Sequence, residues 1–425
     1  MRYKRVGVRV LRQVCSLRVF FGLAAALLLC GAASADPPTH PFGASHAAFP
    51  RGTLRPSKSV DVLDSATADF YDAWKSRYLI PGCGKGELRI KADAGEDGKE
   101  TTVSEGQGYG MVIVALMAGH DPEARAIFDQ LFAYARRHPS RFDPQLMAWA
   151  QNAHCRDIEG RDSATDGDLD IAYALLLADV QWGASGPVNY AQEAQRTLEA
   201  IVQHTIDPAT KLTLLGDWVA PDGDYARATR SSDWMVDHFR AFAAVAPDDW
   251  LPTIDAHLDL ATHMQVTFAP LTGLLPDFIV DIDTAPKPAP PDFLEAETDG
   301  DFAWNACRTP WRLGVDALVS GDRRSIAAVR RMTAWIRAAT GDDPGAIGET
   351  YRLDGTALDP ASSMAFTAPF AVAAMSASAD DPGAQEWVDS LWENMVTTPP
   401  EGYYPDSIKL QVMIAMTGGW WSPVR

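Results

Sequence analysis

Cations are in short supply along this chain of 425 residues: 37 Lys and Arg stand against 56 Asp and Glu, a formal net charge of −19. That balance argues against nucleic acid and anionic lipid as partners. Long apolar runs are also scarce. Only Val19 to Cys30 approaches one, and it falls short of the roughly 18 residues of a membrane span. Cysteine is sparse, with five residues and no Cys-x-x-Cys pair, and the nine His show no metal-ligand spacing. No metal and no cofactor is expected. Strand signals are few; Lys211–Leu215 is one of them and suits a hairpin in a loop.

What is present begins with a basic start, Met1-Arg2-Tyr3-Lys4-Arg5, and further arginines to Arg18. The short apolar run follows and ends in Ala33-Ser34-Ala35 before Asp36. This is the pattern of a secretory signal peptide over residues 1–35. Leu29 before Cys30 is too bulky for a lipid-anchor site. The mature protein, 36–425, is expected to be exported (secreted or periplasmic), free of the membrane, and monomeric. Losing six cationic residues and no acid with the leader takes the net charge from −19 to −25. Export permits a disulfide. Cys83 and Cys155 lie in loop-like contexts and are the expected pair, leaving Cys307 in an apolar helix pattern as a buried thiol.

Past a Pro-, His- and Gly-rich lead-in, twelve helical patterns alternate in style. Six are amphipathic, with charge on one face: Ala66–Leu79, Pro122–Arg137, Tyr190–His204, Trp250–Val266, Arg323–Ala339 and Gly383–Val396. Six are apolar or small nearly all round: Gly106–Gly119, Leu169–Trp182, Asp233–Ala246, Asn305–Ser320, Ser363–Ser378 and Asp406–Gly418. A helix apolar on every side must be buried. The alternation therefore predicts an all-α fold of six helical hairpins closed into a double ring, an (α/α)6 barrel with six inner and six outer helices. No Pro/Gly linker divides two composition regimes, so 36–425 reads as one domain. A helical-repeat binding protein is the rival, but the hairpins share no repeated motif.

Acids sit where two of the apolar helices begin. Ser104-Glu-Gly-Gln-Gly-Tyr-Gly-Met111 places Glu105 at one start. The helix dipole there favours a negative charge; a general acid instead needs burial among apolar or like-charged groups to stay protonated. Three glycines, Gly106, Gly108 and Gly110, cost helix stability of about 1 kcal/mol each, which implies close approach of backbone or ligand. Asp166-Gly-Asp-Leu-Asp170 places three carboxylates at the other start. A calcium loop would need Gly and Glu where Ile171 and Leu177 stand. Helix capping needs one acid, not three. Paired carboxyls beside Gly and aromatics are the equipment of glycoside hydrolysis.

Ala164 through Trp182 resembles the signature of glycoside hydrolase family 8 at every required position. Gly52–Ser57, Ser104–Met111, Leu146–Trp149, Asp233–Phe239, Asn305–Arg312, Tyr403–Ser407 and Trp420-Trp421 are similar to that family as well. The resemblance implies an (α/α)6 barrel and inverting hydrolysis of β-1,4-linked glycans with no metal. By position, Glu105 resembles the general acid, Asp166 the carboxylate holding the sugar at the cleavage point, Trp149 a stacking platform, and Arg308 an orienting arginine. Many members carry their base as an Asp where this chain has Asn305, and an amide cannot take a proton near neutral pH. A branch with Asn there shares the Phe-Leu-Glu element, which makes Glu295 the expected base. Glu297 is next in line, and Asp299 and Asp301 are read as solvated.

Large rings suit sugar faces, so Trp149, Trp218, Trp234 and Trp304 are the cleft candidates, with Tyr109 beside Glu105. His238 is expected in a buried hydrogen bond. The resulting expectation is an exported, inverting endo-β-1,4-glycanase acting on a β-glucan, cellulose or mixed-linkage. A chitosanase of the same fold is the second reading. A catalytically inactive glycan-binding barrel, suggested by Asn305 alone, is the third.

Overall fold

Near-uniform apolarity buries a helix on all sides, and six of the twelve helices among the described residues are buried that way. The structure is a computed structural model that describes residues 37–92, 101–184 and 186–424. The expected leader, 1–35, lies outside them. The inner helices are α2 (Ser104–Leu116), α4 (Thr165–Trp182), α6 (Val236–Ala243), α8 (Thr309–Ser320), α10 (Met364–Ala374) and α12 (Tyr403–Thr417). Each packs on the next, and α12 returns to α2, so the ring closes. The outer helices are α1 (Val60–Tyr78), α3 (Ala124–Arg137), α5 (Tyr190–His204), α7 (Pro247–Thr267), α9 (Arg323–Thr340) and α11 (Ala384–Thr397). They cover α12, α2, α4, α6, α8 and α10 respectively. This is the (α/α)6 barrel expected from the alternation. Trp74, Trp250, Trp311, Trp387, Trp392 and Trp420 are fully buried in it, each contributing about 4–6 kcal/mol of transfer free energy.

The glycines of α2 serve backbone approach between elements. A Cβ at Gly108 would stand 2.7 Å from the Asp170 Cβ and 3.0 Å from the Gly167 carbonyl, and one at Gly167 would meet Ser104. Helices α2 and α4 therefore cross at contact distance. A Cβ at Gly106 would press on the Tyr403 ring at 2.9 Å. No described acid of the Asp166–Asp170 run caps α4: the N-cap position is Ala164. Ser104 likewise lies inside α2, after Val103 as N-cap.

Short antiparallel strands decorate the loops. β1 (Leu79–Pro81) pairs with β2 (Leu88–Ile90), and β3 (Thr102–Val103) with β4 (Ala150–Gln151). β5 (Ala228–Arg230), β6 (Phe278–Val280) and β7 (Lys287–Pro288) form a three-stranded sheet, and β8 (Thr350–Tyr351) pairs with β9 (Ala357–Asp359). Lys211–Leu215 makes no strand; a single bridge joins Thr213 to Ile206. Leu215, Ala228, Phe278 and Ala289 build a second small core, with Trp218, Tyr225, Phe293 and Leu294 packed against it. Cys83 and Cys155 are bonded with their Cα atoms 6.1 Å apart, and Cys307 is buried and unpaired.

Candidate active site

Four inner helices bring their N-terminal ends to one cleft. Glu105 starts α2, Asp166 starts α4, Arg308 directly precedes α8 and Tyr403 starts α12. Arg308, 1% exposed, is the hub. Its Nη1 donates to Glu105 Oε2 at 2.7 Å, to Asp166 Oδ2 at 3.0 Å and to the Tyr109 hydroxyl at 3.3 Å. Its Nη2 donates to Ser232 Oγ at 2.9 Å and to Asn305 Oδ1 at 3.0 Å. One turn deeper, Arg312 repeats the pattern on Asp170 at 2.7 Å. His238 bridges Asp170 and Asp237 at 2.9 and 3.0 Å, the buried hydrogen bond expected of it. Burial opposes its charge, but the two carboxylates raise its pKa above the ordinary value.

The two carboxyls on Arg308 are pushed apart. Burial raises the Glu105 pKa, and Asp166 adds to it; Arg308 and the Tyr403 hydroxyl, which donates to Glu105 Oε1 at 2.6 Å, only partly offset this. Burial also acts on Asp166, but Arg230, Arg308 and the Gly167 N–H hold its pKa below the usual carboxylate value. Burial thus outweighs Arg308 and the Tyr403 hydroxyl at Glu105, while cations prevail at Asp166. The two neighbouring carboxyls are shifted in opposite directions, Glu105 up and Asp166 down, which is the kind of separation acid–base work requires.

Glu295 stands on the loop after β7. Its Oε2 accepts from Asn305 Nδ2 at 2.8 Å, and Arg230 Nη1 lies 3.7 Å from its Oε1. Phe293 and Leu294 pack down on the second core and anchor the loop. The structure therefore joins Glu105, Arg308, Asn305 and Glu295 in one hydrogen-bonded series. The cleft they line has a volume of about 740 Å³, with Trp149 and Trp304 on its walls. The Trp149 backbone carbonyl accepts from the Ser104 N–H at 2.8 Å, which ties this platform to the start of α2. Trp304, 46% exposed, has its carbonyl held by the Tyr404 hydroxyl at 2.7 Å. A second depression of about 580 Å³ beside α5, lined by Leu176, Leu198 and Trp250, holds none of these groups. Among the described residues no cluster suits a metal ion.

Three expected cleft residues lie elsewhere. Trp234 is buried, with its indole N–H on Thr229 Oγ1 at 3.2 Å and its ring against His257, so it is core. Trp218 packs edge-on to Tyr225 over the second core. Tyr109 is fully buried and meets Arg308 from behind rather than facing the cleft. Asp299, expected in solvent, is buried; backbone N–H groups satisfy it.

Several residues of the site carry no sequence signal of their own. Arg230 is a single arginine in a short strand, 3.6 Å from buried Asp233, whose pKa burial raises to about 7 against the pull of Arg230. Asp277 accepts from the N–H groups of Ala303 and Ala306 and so shapes the turn that presents Asn305; burial raises it to about 7. Tyr403 falls in a family-like segment, but only the fold brings its hydroxyl to Glu105.

Two neighbouring carboxyls with opposed pKa shifts and a third lining the same aromatic-walled cleft, all on an (α/α)6 barrel, define a glycoside hydrolase. The chain belongs to the glycosyl hydrolases family 8, whose sequence pattern matches residues 57–418. It is similar to a beta-glucanase of Niallia circulans, 41% identical over 410 residues that cover 95% of this chain and 98% of that one. An endoglucanase of Bacillus sp. (strain KSM-330) is 39% identical over 386 residues, covering 88% and 80%. The apo structure of a beta-1,3-1,4-glucanase from Paenibacillus sp. X4 matches with a TM-score of 0.86 at 41% identity, covering 91% of this chain and all of that one.

Proposed function

We propose that the protein is an exported, inverting endo-β-1,4-glucanase in which Glu105 is the acid, Glu295 the base and Asp166 the stabilising carboxylate. The hydrogen-bonded series Glu105–Arg308–Asn305–Glu295 carries the reading. In the reaction, protonated Glu105 gives its proton to the glycosidic oxygen as the C1–O bond breaks. Positive charge grows on the sugar beside ionised Asp166. Glu295 takes a proton from water as that water's oxygen bonds to C1 from the opposite face, which inverts the anomeric centre. Arg308 and Tyr403 then stabilise the Glu105 carboxylate left behind. A guanidinium and an amide intervene between acid and base, which supports room for a water rather than direct attack by Glu295.

Charge in the cleft favours a neutral glucan over chitosan. Among its described lining groups, the carboxylates are Glu105, Asp166 and Glu295, and the cations are Lys91, Arg230 and Arg308. Every one of these acids has a chemical task, so none is left to hold an amino sugar. The names of the similar β-glucanase and endoglucanase agree. Reducing-sugar release should be strong on lichenan or carboxymethylcellulose and weak on xylan and chitosan. Release from chitosan alone would overturn the glucan reading, and release from none would favour a binding barrel. Proton NMR of the first product should show the α-anomer; a β-anomer contradicts inversion. N-terminal sequencing of the exported protein should start at Asp36.

A further inference from the structure

We propose that Asp299 is the positioning residue for Glu295, an inference that rests on Glu295 being the base. The segment that carries Glu295 has no helix or strand, and the Glu295 side chain is 45% exposed. A carboxylate on such a loop would sample many positions, yet general-base attack needs one. Asp299 removes that freedom from behind. Its Oδ2 accepts from the N–H of Leu294 at 2.7 Å and of Glu295 itself at 3.0 Å, and its Oδ1 accepts from Ala296 N–H at 3.0 Å. Three successive peptide planes are therefore turned toward one carboxylate that is 1% exposed.

The rest of Asp299 is fixed as well. Its N–H donates to the Ala296 carbonyl at 3.2 Å, and its carbonyl accepts from Phe278 N–H in β6 at 2.9 Å. The loop is further closed by the Asp292 N–H on the Ala296 carbonyl at 2.9 Å. The Phe293 ring lies 5.9 Å from the Phe278 ring, so side-chain packing and the backbone bond reach the same strand. Charge-assisted bonds from backbone N–H to carboxylate are among the stronger hydrogen bonds. Asp299 holds the Glu295 backbone and Asn305 holds its head group, at opposite ends of the side chain. Asp299 does not itself line the cleft; its link to it is the bond from the Glu295 N–H, so its effect on rate passes through Glu295. A displacement of about 1 Å costs about 10²-fold in a positioned reaction.

Asp299→Asn in the full-length protein should lower kcat on β-glucan by about 10–10²-fold while KM stays within about twofold. In a Glu295→Gln background the same substitution should lower kcat no further. A purely structural role would instead lower both backgrounds alike, and that result overturns the proposal, as does near-normal kcat for Asp299→Asn. If Asp299→Asn does not fold, amide exchange on the wild type decides: Leu294, Glu295 and Ala296 should exchange far more slowly than other exposed loop amides, and unprotected exchange overturns it. Full activity in Glu295→Gln would remove the base assignment itself. Loss there with no effect of Asp299→Asn would remove only this inference.

Discussion

The Asn305 amide donates to Glu295 Oε2 at 2.8 Å while its own carbonyl oxygen accepts from Arg308 at 3.0 Å. An amide can do both at once; a carboxylate cannot, because it has no donor. Asn305 is thus the residue that couples the arginine hub to the loop acid.

Asn305→Asp should therefore harm the enzyme. The new carboxylate would still accept from Arg308 but would repel Glu295. Loss of that contact should cost about 10²-fold in kcat by displacement of the base. Nor should Asn305→Asp restore turnover to Glu295→Gln if Glu295, on its loop, is the group that activates the water. Steady-state kinetics on lichenan checks both, and a rescued double variant would move the base to position 305.

Tyr403→Phe tests the acid. The Tyr403 hydroxyl lowers the Glu105 pKa, opposing the larger effect of burial. Its removal should raise that pKa further. The acid must be protonated to act, so activity is lost as pH rises through this pKa. The alkaline limb of the kcat profile should move to higher pH in Tyr403→Phe. A limb that moves to lower pH would contradict the assignment of Glu105.

His257 gives the fold a pH dependence apart from catalysis. Its Nδ1 bonds the Thr253 carbonyl at 2.7 Å, and its Nε2 accepts from the Thr213 N–H at 3.2 Å, so a proton on Nε2 would face a donor. Burial lowers its pKa from 6.5 to about 4. A depressed histidine binds its proton more weakly in the folded state. Its contribution to stability is thus full above about pH 6.5 and fades as pH falls to about 4, in total about 3 kcal/mol. Asp233 and Asp277, raised to about 7, act with the opposite sign above their ordinary range. The measurement is therefore a difference: the fall in urea-unfolding stability from pH 6.5 to pH 4 should be smaller in His257→Gln than in the wild type. Equal slopes would contradict it.

Periodicity made the barrel readable. Helix α5 runs Tyr190–His204 as expected, because a charged face and an apolar stripe end together there. Edges blurred where tertiary structure overrides the pattern. The apolar run from Asn305 begins as a single turn, and α8 starts only at Thr309 beside Pro310. Helix α6 shrinks to Val236–Ala243. Glu105, Asp166, Glu295, Asn305 and Arg308 were legible as a set through motif likeness, but their bonds were not. Trp234 and Trp304 look alike in sequence, since an aromatic residue preceding an inner helix fits core and cleft equally. Asp299 misled because an acidic run reads as solvated, and its partners are backbone N–H groups that no side-chain pattern reveals.

The base assignment is tested most directly by Glu295→Gln. Turnover and oligosaccharide binding should be measured on the same preparation. The amide keeps the shape of the side chain but cannot take a proton from water. We expect kcat to fall by about 10²–10⁴-fold, with cello-oligosaccharide affinity nearly unchanged because Trp149, Trp304 and Arg308 remain in place. Near-normal turnover in Glu295→Gln would contradict the account and send the search for the base to Glu297.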